Sequence, residues 1–239
     1  MFKEFISHPF FKEGIFCHMV ENATVYFLLC GLFLTVVPYL LGSVNFAIII
    51  SEKRFHDDVR THGSGNAGMT NMLRTYGKRA AALTLGGDAL KAIIASLIGS
   101  FMMGMTGAYI AGFFCVLGHT FPIFFKFKGG KGVLCAATAI AMLSPLTFVW
   151  LLLIFVIIVF GTKFVSLGSV IGVMAYPLLL QKMEGVSICN ILALMIAALV
   201  EYNHRENLKR LLEGKENKIS IGKKDKKKAD SEDEDADAD

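Results

Sequence analysis

The chain has 239 residues, of which 54% are hydrophobic, and its formal net charge at pH 7 is +4. Its charged residues, 18% of the total, form short clusters between long apolar stretches. This composition argues against a soluble domain built around a single core. It predicts a polytopic membrane protein.

The apolar stretches predict membrane-spanning helices, because a helix needs roughly 20 apolar residues to cross the hydrocarbon core. Stretches that reach or approach this length lie near residues 24–50, 80–104, 106–125, 132–143, 146–161, 164–181 and 187–203. The fourth and fifth are short and are divided only by Ser144-Pro145. We therefore predict an all-α polytopic membrane protein with about seven transmembrane helices.

Basic residues between the spans predict the orientation, because lysine and arginine stay cytoplasmic in short loops. The first and third loops carry most of them, namely Lys53, Arg54, Arg60, Arg74, Lys78, Arg79, Lys126, Lys128 and Lys131. The turns at Met105-Thr106 and Ser144-Pro145 carry none. With seven spans, the N-terminus is predicted outside, the C-terminus cytoplasmic, and the polar clusters on the cytoplasmic face.

Two terminal regions differ from the membrane domain, which is predicted over residues 24–218. Residues 1–23 are rich in phenylalanine and predict an interfacial helix or a loosely attached extension. Residues 219–239 change from lysine-rich to acidic, which is typical of a disordered, solvated tail. The five cysteines are scattered without C-x-x-C spacing and indicate apolar packing rather than a metal site.

A glycine-rich segment, Gly63-Ser64-Gly65-Asn66-Ala67-Gly68, follows the first span and is followed by Thr70, Asn71 and Arg74. It satisfies G-x-G-x-x-G, but that fingerprint requires a preceding strand, and here a membrane helix precedes it. The remaining features are converging backbone N–H groups and an arginine fork, which suit phosphate or carboxylate. The alternative is a tight turn, which would not need Arg74.

A second cluster, Phe125-Lys126-Phe127-Lys128-Gly129-Gly130-Lys131-Gly132, leads directly into a helix. Free N–H groups at a helix N-terminus favour anions. The cluster lacks the Walker A pattern, so ATP is not indicated. Lys126 and Lys128 are explained as boundary lysines, whereas Lys131 is predicted to contact a ligand.

Other polar groups accompany the spans. His204 and Asn207 share one face of the last helix and could hydrogen-bond a polyol; the alternative is an amphipathic helix held by anionic lipid. His119 could be a base but is more typical of a structural histidine. Asp88 and Lys91, at i, i+3 spacing inside a span, are predicted to pair as a brace.

Together these motifs resemble the bacterial acyl-phosphate:glycerol-3-phosphate acyltransferase family of integral membrane proteins. The resemblance covers residues 25–218 and rests on Gly42-Ser43, Gly63-Ser64-Gly65-Asn66, Thr70-Asn71, Arg74, Gly87-Asp88, Lys91, Gly118-His119, Phe121-Pro122, residues 127–133, His204-Arg205-Glu206-Asn207, Arg210-Leu211-Leu212, Gly214 and Glu216. The chain departs from the family pattern at Met69, Ala92 and Leu134-Cys135. These departures place larger side chains beside the glycine loops.

The resemblance implies transfer of a fatty acyl group from long-chain acyl phosphate to the sn-1 hydroxyl of glycerol 3-phosphate, giving lysophosphatidic acid and phosphate. This reaction is the first step of phospholipid synthesis, at the cytoplasmic face of the bacterial inner membrane. Neither cofactor nor metal is implied. Expected partners are the two substrates and membrane lipids, without nucleic acid; the oligomeric state is open, and a monomer would suffice.

The resemblance also implies roles for individual residues. The implied catalytic residues are Ser64, Arg74, Lys131, His204 and Asn207. The implied phosphate-binding residues are Gly63, Gly65, Asn66, Thr70, Asn71, Gly129, Gly130 and Gly132. Structural support is expected from Asp88, Lys91, His119 and Glu216.

A transporter of a phosphate ester or another anion is the main alternative, and a lipid-binding scaffold is a third possibility. Transporters place their sites near the membrane midplane and often contain repeated halves. Here the polar clusters lie at one face and no internal repeat is visible, which favours the enzyme. A scaffold would not require the glycine loops.

Overall fold

The computed structural model describes residues 23–185 and 187–219. Their helices are α1 (Ala23–Ser43), α2 (Phe46–Phe55), α3 (Met69–Thr120), α4 (Val133–Leu143), α5 (Pro145–Thr162), α6 (Val165–Glu184), α7 (Ile188–Asn203) and α8 (Arg205–Leu212). Short 3-10 turns lie at Val59–Thr61 and Ile123–Phe125. The predicted extension and tail lie outside the described residues, except for Ala23 and Ile219.

The long helix α3 reverses direction at its second kink. Its backbone leaves helical geometry at Gly77 (φ 81°) and again at Met103 and Gly104. A Cβ atom on Gly99 would lie 2.2 Å from the carbonyl oxygen of Gly107. Eight residues of straight helix would separate these positions by about 12 Å. The chain therefore doubles back at Gly104, close to the turn predicted at Met105-Thr106.

The apolar helices follow the predicted order. Stretches long and apolar enough to cross a membrane are Leu28–Phe55, Met69–Phe125, Pro145–Thr162 and Val165–Glu184, and shorter apolar helices are Val133–Leu143 and Ile188–Asn203. Because α3 doubles back, Met69–Phe125 contains two of the predicted segments, and the six stretches together correspond to all seven. The all-α membrane class is confirmed, while the number of crossings and the orientation stay predictions.

Two of the predicted apolar stretches are not continuous helices. The segment at 24–50 is interrupted between α1 and α2, where Asn45 is extended and its side chain accepts a hydrogen bond from the Ile48 N–H. The segment at 106–125 ends at Thr120, because the chain leaves helical geometry at Phe121, before Pro122. Both interruptions lie beside the site described below.

Large apolar side chains cover the outside of the bundle, as expected for a lipid environment, whereas small residues occur where its helices pack closely. Leu28, Ile157 and Leu178 are 68%, 70% and 70% exposed on the outside. Inside, small residues let α1 approach α3 closely. A Cβ atom on Gly42 would lie 2.1 Å from the Cys115 carbonyl oxygen, and one on Gly118 would lie 2.1 Å from that of Tyr39. Such small-residue contacts are typical of membrane helices.

Candidate active site

The three predicted polar clusters meet at one end of the bundle. Arg60 Nη1 donates to the carbonyl oxygens of Phe125 and Lys128, both at 3.2 Å, and so joins the first loop to the second. Lys131 Nζ donates to Asn207 Oδ1 and joins the second loop to α8. The sequence placed these clusters on one predicted face of the membrane, but it predicted neither their contacts nor the bridging role of Arg60.

Asn71 holds the first glycine loop together. Its Oδ1 accepts from the Ser64 N–H at 3.0 Å, and its amide group donates to the carbonyls of Val59 and His62, both at 3.0 Å. Gly63, with φ +55°, lies so close that a Cβ atom would be 2.3 Å from Asn71 Oδ1. Because both amide hydrogens of Asn71 are used by the loop, its role differs from the predicted phosphate contact.

The first loop leads into the N-terminus of α3. Gly68 is the N-cap and provides no side-chain hydrogen bond. The N–H groups of Asn71 and Met72 donate to the Gly68 carbonyl oxygen at 3.0 and 3.1 Å, whereas those of Met69 and Thr70 have no backbone acceptor within the described residues and are available to an anion. Around them, Ser64, Asn66 and Thr70 line a large cavity together with Arg74.

The glycines of the second loop are required by contacts within the protein. A Cβ atom on Gly130 would lie 2.1 Å from His119 Nε2, and one on Gly129 would lie 2.1 Å from the His119 carbonyl oxygen. Gly132 adopts φ +83°, in the left-handed region that favours glycine. Of these three glycines, only Gly132 lines the large cavity. Gly129 and Gly130 therefore position Lys131, a role that differs from the predicted contact with phosphate.

We expect Gly130→Ala to lower the unfolding temperature in detergent, because the added methyl group must displace His119; overpacking of this kind costs about 1–3 kcal/mol. Gly86→Ala is the matched control, because a Cβ atom there would have no neighbour within 4 Å and the backbone does not adopt a positive φ. If Gly130→Ala unfolds at the wild-type temperature and only the KM for one substrate rises, the glycine is needed for close approach of a ligand and not for packing against His119.

Glu216 organises the third cluster. Its Oε1 accepts from Asn207 Nδ2 at 2.7 Å and from Ser166 Oγ at 2.8 Å, and its Oε2 accepts from Arg210 Nε at 2.9 Å. Burial raises the pKa of Glu216, but these three donors outweigh it and the net pKa lies below the usual value. Ser166 was missed in the sequence, where it appears as one small residue at the start of an apolar helix.

The adjacent segment, residues 213–219, crosses from α8 to the other elements of the site. The Asn217 carbonyl oxygen lies 3.5 Å from Arg74 Nη2, and the Ile219 N–H donates to the Lys163 carbonyl at 2.8 Å. Glu216, Asn217 and Ile219 all line the large cavity. The segment therefore forms part of the cavity wall.

His204 and Lys131 have unusual protonation behaviour. His204 Nδ1 lies 2.7 Å from the Val200 carbonyl oxygen, which can only accept, so the neutral ring carries its free lone pair on Nε2. Burial, opposed by that hydrogen bond and aided by the Lys131 charge, lowers the pKa of His204 to about 4. Burial and the neighbouring Arg210 and Arg74 lower the pKa of Lys131 to about 8. At pH 7 the histidine is neutral and the lysine is mostly charged.

Asp88, Lys91 and His119 form a buried cluster beneath the two loops. Lys91 Nζ lies 2.8 Å from Asp88 Oδ1 and 3.0 Å from His119 Nδ1. It also donates to the carbonyl oxygens of Gly42 at 2.9 Å and Val44 at 2.7 Å, where α1 ends. These contacts support the bracing role predicted from the sequence.

Cys135 completes this cluster, and its sulfur lies within 4.8 Å of a ligand atom of Asp88 and of His119. Three such groups could hold a metal ion by type. The Lys91 ammonium, however, already lies against Asp88 and His119 and supplies the positive charge there. The geometry therefore favours a lysine-centred brace over a metal centre.

The large cavity has a volume of about 560 Å³ and joins two different environments. At its polar end lie Ser64, Asn66, Thr70, Arg74, Lys131, Ser166, His204, Asn207 and Glu216, and further polar residues of its lining are Asn71, Asp88, His119, Ser169 and Asn217. The apolar part of its lining includes Leu134, Ile140, Phe148, Leu151, Phe155 and Tyr176. All five residues predicted as catalytic line the polar end, whereas Gly63, Gly65, Gly129 and Gly130 line none of it.

This combination of an apolar helical bundle and a cationic pocket that opens onto an apolar wall defines an integral membrane protein acting on amphipathic anions. A sequence model described as glycerol-3-phosphate acyltransferase matches residues 32–214. The chain belongs to the glycerol-3-phosphate acyltransferase family, which confirms the resemblance found in its sequence.

Individual relatives agree with this assignment. A glycerol-3-phosphate acyltransferase of Thermoanaerobacter sp. (strain X514) is 43% identical over 184 residues, covering 77% of this chain and 93% of the relative. The crystal structure of PlsY (YgiH), an integral membrane glycerol 3-phosphate acyltransferase, in its glycerol 3-phosphate form has a TM-score of 0.75 at 37% identity, covering 80% of this chain and 96% of PlsY. The crystal structure of its lysophosphatidic acid form has a TM-score of 0.72 at 35% identity, covering 80% of this chain and 95% of PlsY.

Proposed function

We propose that this chain transfers a long-chain acyl group from acyl phosphate to the sn-1 hydroxyl of glycerol 3-phosphate, releasing lysophosphatidic acid and phosphate. This proposal rests on the large cavity, in which a cationic polar end and an apolar wall belong to the same space. Both substrates carry a phosphate for the polar end, and one also carries a long apolar chain for the wall.

The proposed reaction needs little covalent help from the protein. The glycerol 3-phosphate hydroxyl oxygen forms a bond to the acyl carbonyl carbon, the bond from that carbon to the phosphate oxygen breaks, and the departing phosphate takes the hydroxyl proton. Arg74 and Lys131 hold the phosphate groups, and Ser64, Asn66 and Thr70 add hydrogen bonds around them. Holding two anions side by side and stabilising developing charge lowers the barrier by several kcal/mol.

His204 and Asn207 orient the acceptor in this mechanism. Neutral His204 presents Nε2 as a hydrogen-bond acceptor for a hydroxyl group, while its Nδ1 is bound to the Val200 carbonyl. Asn207 lies between Lys131 and Glu216, which fixes its amide orientation. Asp88 and His119 line the large cavity, but both contact Lys91, which also donates to the carbonyl oxygens at the end of α1, and these contacts support a bracing function for all three.

The proposed location is the bacterial inner membrane, with the cavity mouth on the cytoplasmic side. The clustering of Lys126, Lys128, Arg60 and Arg74 at one end of the bundle supports this orientation, because basic loops are retained in the cytoplasm. Acyl phosphate and membrane lipids are the proposed partners beside glycerol 3-phosphate.

The direct test supplies the purified protein with glycerol 3-phosphate and palmitoyl phosphate and follows phosphate release and lysophosphatidic acid formation. We expect both products in equal amounts, and neither when palmitoyl-CoA replaces palmitoyl phosphate. Phosphate release that does not depend on glycerol 3-phosphate would contradict the proposal. Flux of glycerol 3-phosphate into liposomes without acyl transfer would instead support the transporter.

We expect His204→Gln to retain turnover while the KM for glycerol 3-phosphate rises about fivefold, since a hydrogen bond of about 1 kcal/mol is weakened. Because the pKa of His204 is about 4, wild-type kcat should show no histidine inflection between pH 6 and 8. The measurement is kcat against pH at saturating substrates. An inflection near pH 6–7 that disappears in His204→Gln, together with loss of turnover, would identify His204 as a general base.

A further inference from the structure

A second cavity lies between the two glycine-rich loops. It has a volume of about 370 Å³ and is lined by Asp58, Arg60, Gly65, Lys126, Lys128 and Gly129. None of these residues lines the larger cavity. A group bound here would therefore occupy a site separate from the proposed catalytic one.

The second cavity carries excess positive charge. Each nitrogen of the Arg60 guanidinium is hydrogen-bonded, because Nε and Nη2 donate to the Asp58 carboxylate and Nη1 donates to the Phe125 and Lys128 carbonyls. Lys126 and Lys128 are exposed, and within residues 23–185 and 187–219 their ammonium groups have no hydrogen bond or ion pair. The Asp58 charge is compensated by Arg60, so these two lysines attract an anion.

Exposed apolar side chains lie on the same segment as the lysines. Ile123, Phe124 and Phe127 are 46%, 59% and 56% exposed. The segment follows the end of α3, where an apolar helix of the bundle gives way to a polar loop. Aromatic rings alternating with lysines at the end of a membrane helix are typical of the lipid–water interface.

We propose that the second cavity binds the phosphate of an anionic phospholipid. Lys126 and Lys128 bind the phosphate, and Ile123, Phe124 and Phe127 contact the apolar part of the lipid. The occupant is a lipid rather than free phosphate, because a free anion would use only the lysines and leave the three apolar side chains exposed to water. Since Gly65 and Gly129 belong to the two catalytic loops, the bound lipid holds these loops together from the side opposite the substrates.

The test titrates the purified full-length chain in detergent with palmitoyl-oleoyl phosphatidylglycerol and counts retained lipid by native mass spectrometry. We expect Lys126→Gln/Lys128→Gln to bind this lipid about thirtyfold more weakly, which corresponds to about 1 kcal/mol for each lysine near an anionic surface. Lys126→Arg/Lys128→Arg should restore binding. The matched control is Lys53→Gln/Lys182→Gln, which neutralises two exposed lysines that line neither cavity and should bind like wild type.

A second pair of measurements separates a lipid from a free anion. Phe124→Ser/Phe127→Ser should also weaken lipid retention, and inorganic phosphate at equal concentration should not displace the lipid. Wild-type lipid affinity in Lys126→Gln/Lys128→Gln would overturn the proposal. The proposal would also be overturned if Phe124→Ser/Phe127→Ser bound the lipid like wild type and inorganic phosphate displaced it. Lipid retention is measured without turnover, so this proposal can fail while the acyltransferase proposal stands.

Discussion

Arg74→Ala and Lys131→Ala are each expected to lower kcat/KM by roughly 100-fold or more. Both side chains line the polar end of the large cavity, and charge-assisted contacts to phosphate contribute roughly 1.5–3 kcal/mol each, more where charge develops in the transition state. Arg74→Lys should recover little if the contact is bidentate, because lysine lacks the planar fork. The measurement is steady-state phosphate release with each substrate varied in turn.

Lys126→Ala provides the control for this pair. Lys126 belongs to the same glycine–lysine segment but lies outside the large cavity and lines the smaller one. It should therefore retain wild-type turnover in detergent. Wild-type turnover in Arg74→Ala would remove the first loop from the mechanism, and a Lys126→Ala defect equal to that of Lys131→Ala would show that general positive charge, not the cavity, is required.

Lys131 adds a pH signature to the same experiment. Because its pKa is lowered to about 8, the ammonium is present at pH 7 and is lost as the pH rises through 8. The wild-type KM for glycerol 3-phosphate should consequently rise above pH 8, and the rise should be absent from Lys131→Ala. A bound anion stabilises the charged form, so saturating substrate should move the inflection to higher pH.

The fold was largely predictable because its main signals are local. The reversal of α3 coincides with a turn without charges between two long apolar stretches. The break between α1 and α2 was missed, because Ser43 and Asn45 appear in the sequence as isolated polar residues within one apolar stretch. Its freed carbonyl groups, at Gly42 and Val44, are satisfied by Lys91, which is more than 40 residues away in sequence. A contact of that kind is not encoded in the local pattern.

The site was predictable at the level of residue types but not of contacts. Polar residues with a role in phosphate chemistry were found, and Lys131 and Asn207 meet across 76 residues of sequence. The glycines were interpreted as room for a ligand, whereas Gly130 makes room for His119. Ser166 was missed because a single serine in an apolar helix gives no signal until its partner, Glu216, is placed beside it.

Glu216→Ala is expected to lower both the stability of the protein and its turnover. The carboxylate holds Asn207, Ser166 and Arg210 at once, so its loss leaves three donors without an acceptor and frees Asn207, the partner of Lys131. Removing one partner of a fully buried ion pair costs about 3–5 kcal/mol. The Arg210 side chain is 32% exposed, so we expect a smaller loss, about 2–3 kcal/mol.

Two variants refine this prediction. Glu216→Gln keeps an acceptor for Asn207 and Ser166 but loses the ion pair with Arg210, so it should be less destabilised and retain a near-normal KM for glycerol 3-phosphate. Glu213→Ala is the control, because it removes only the neighbouring exposed pair with Lys215. Both unfolding temperature and kcat are measured in detergent.

The pH dependence of stability distinguishes the charge of Glu216 from its hydrogen bonds. The pKa of the native carboxyl lies below the usual value of 4.5, so its ionic contribution is complete above that value and is lost as the pH falls through the native pKa. The difference in unfolding temperature between wild type and Glu216→Gln should therefore be largest near neutral pH and shrink below about pH 4.5. A difference that stays constant from pH 7 to 4 would assign the stabilisation to hydrogen bonding alone.

Wild-type stability and kcat in Glu216→Ala would show that residues 213–219 do not position Asn207 and Lys131.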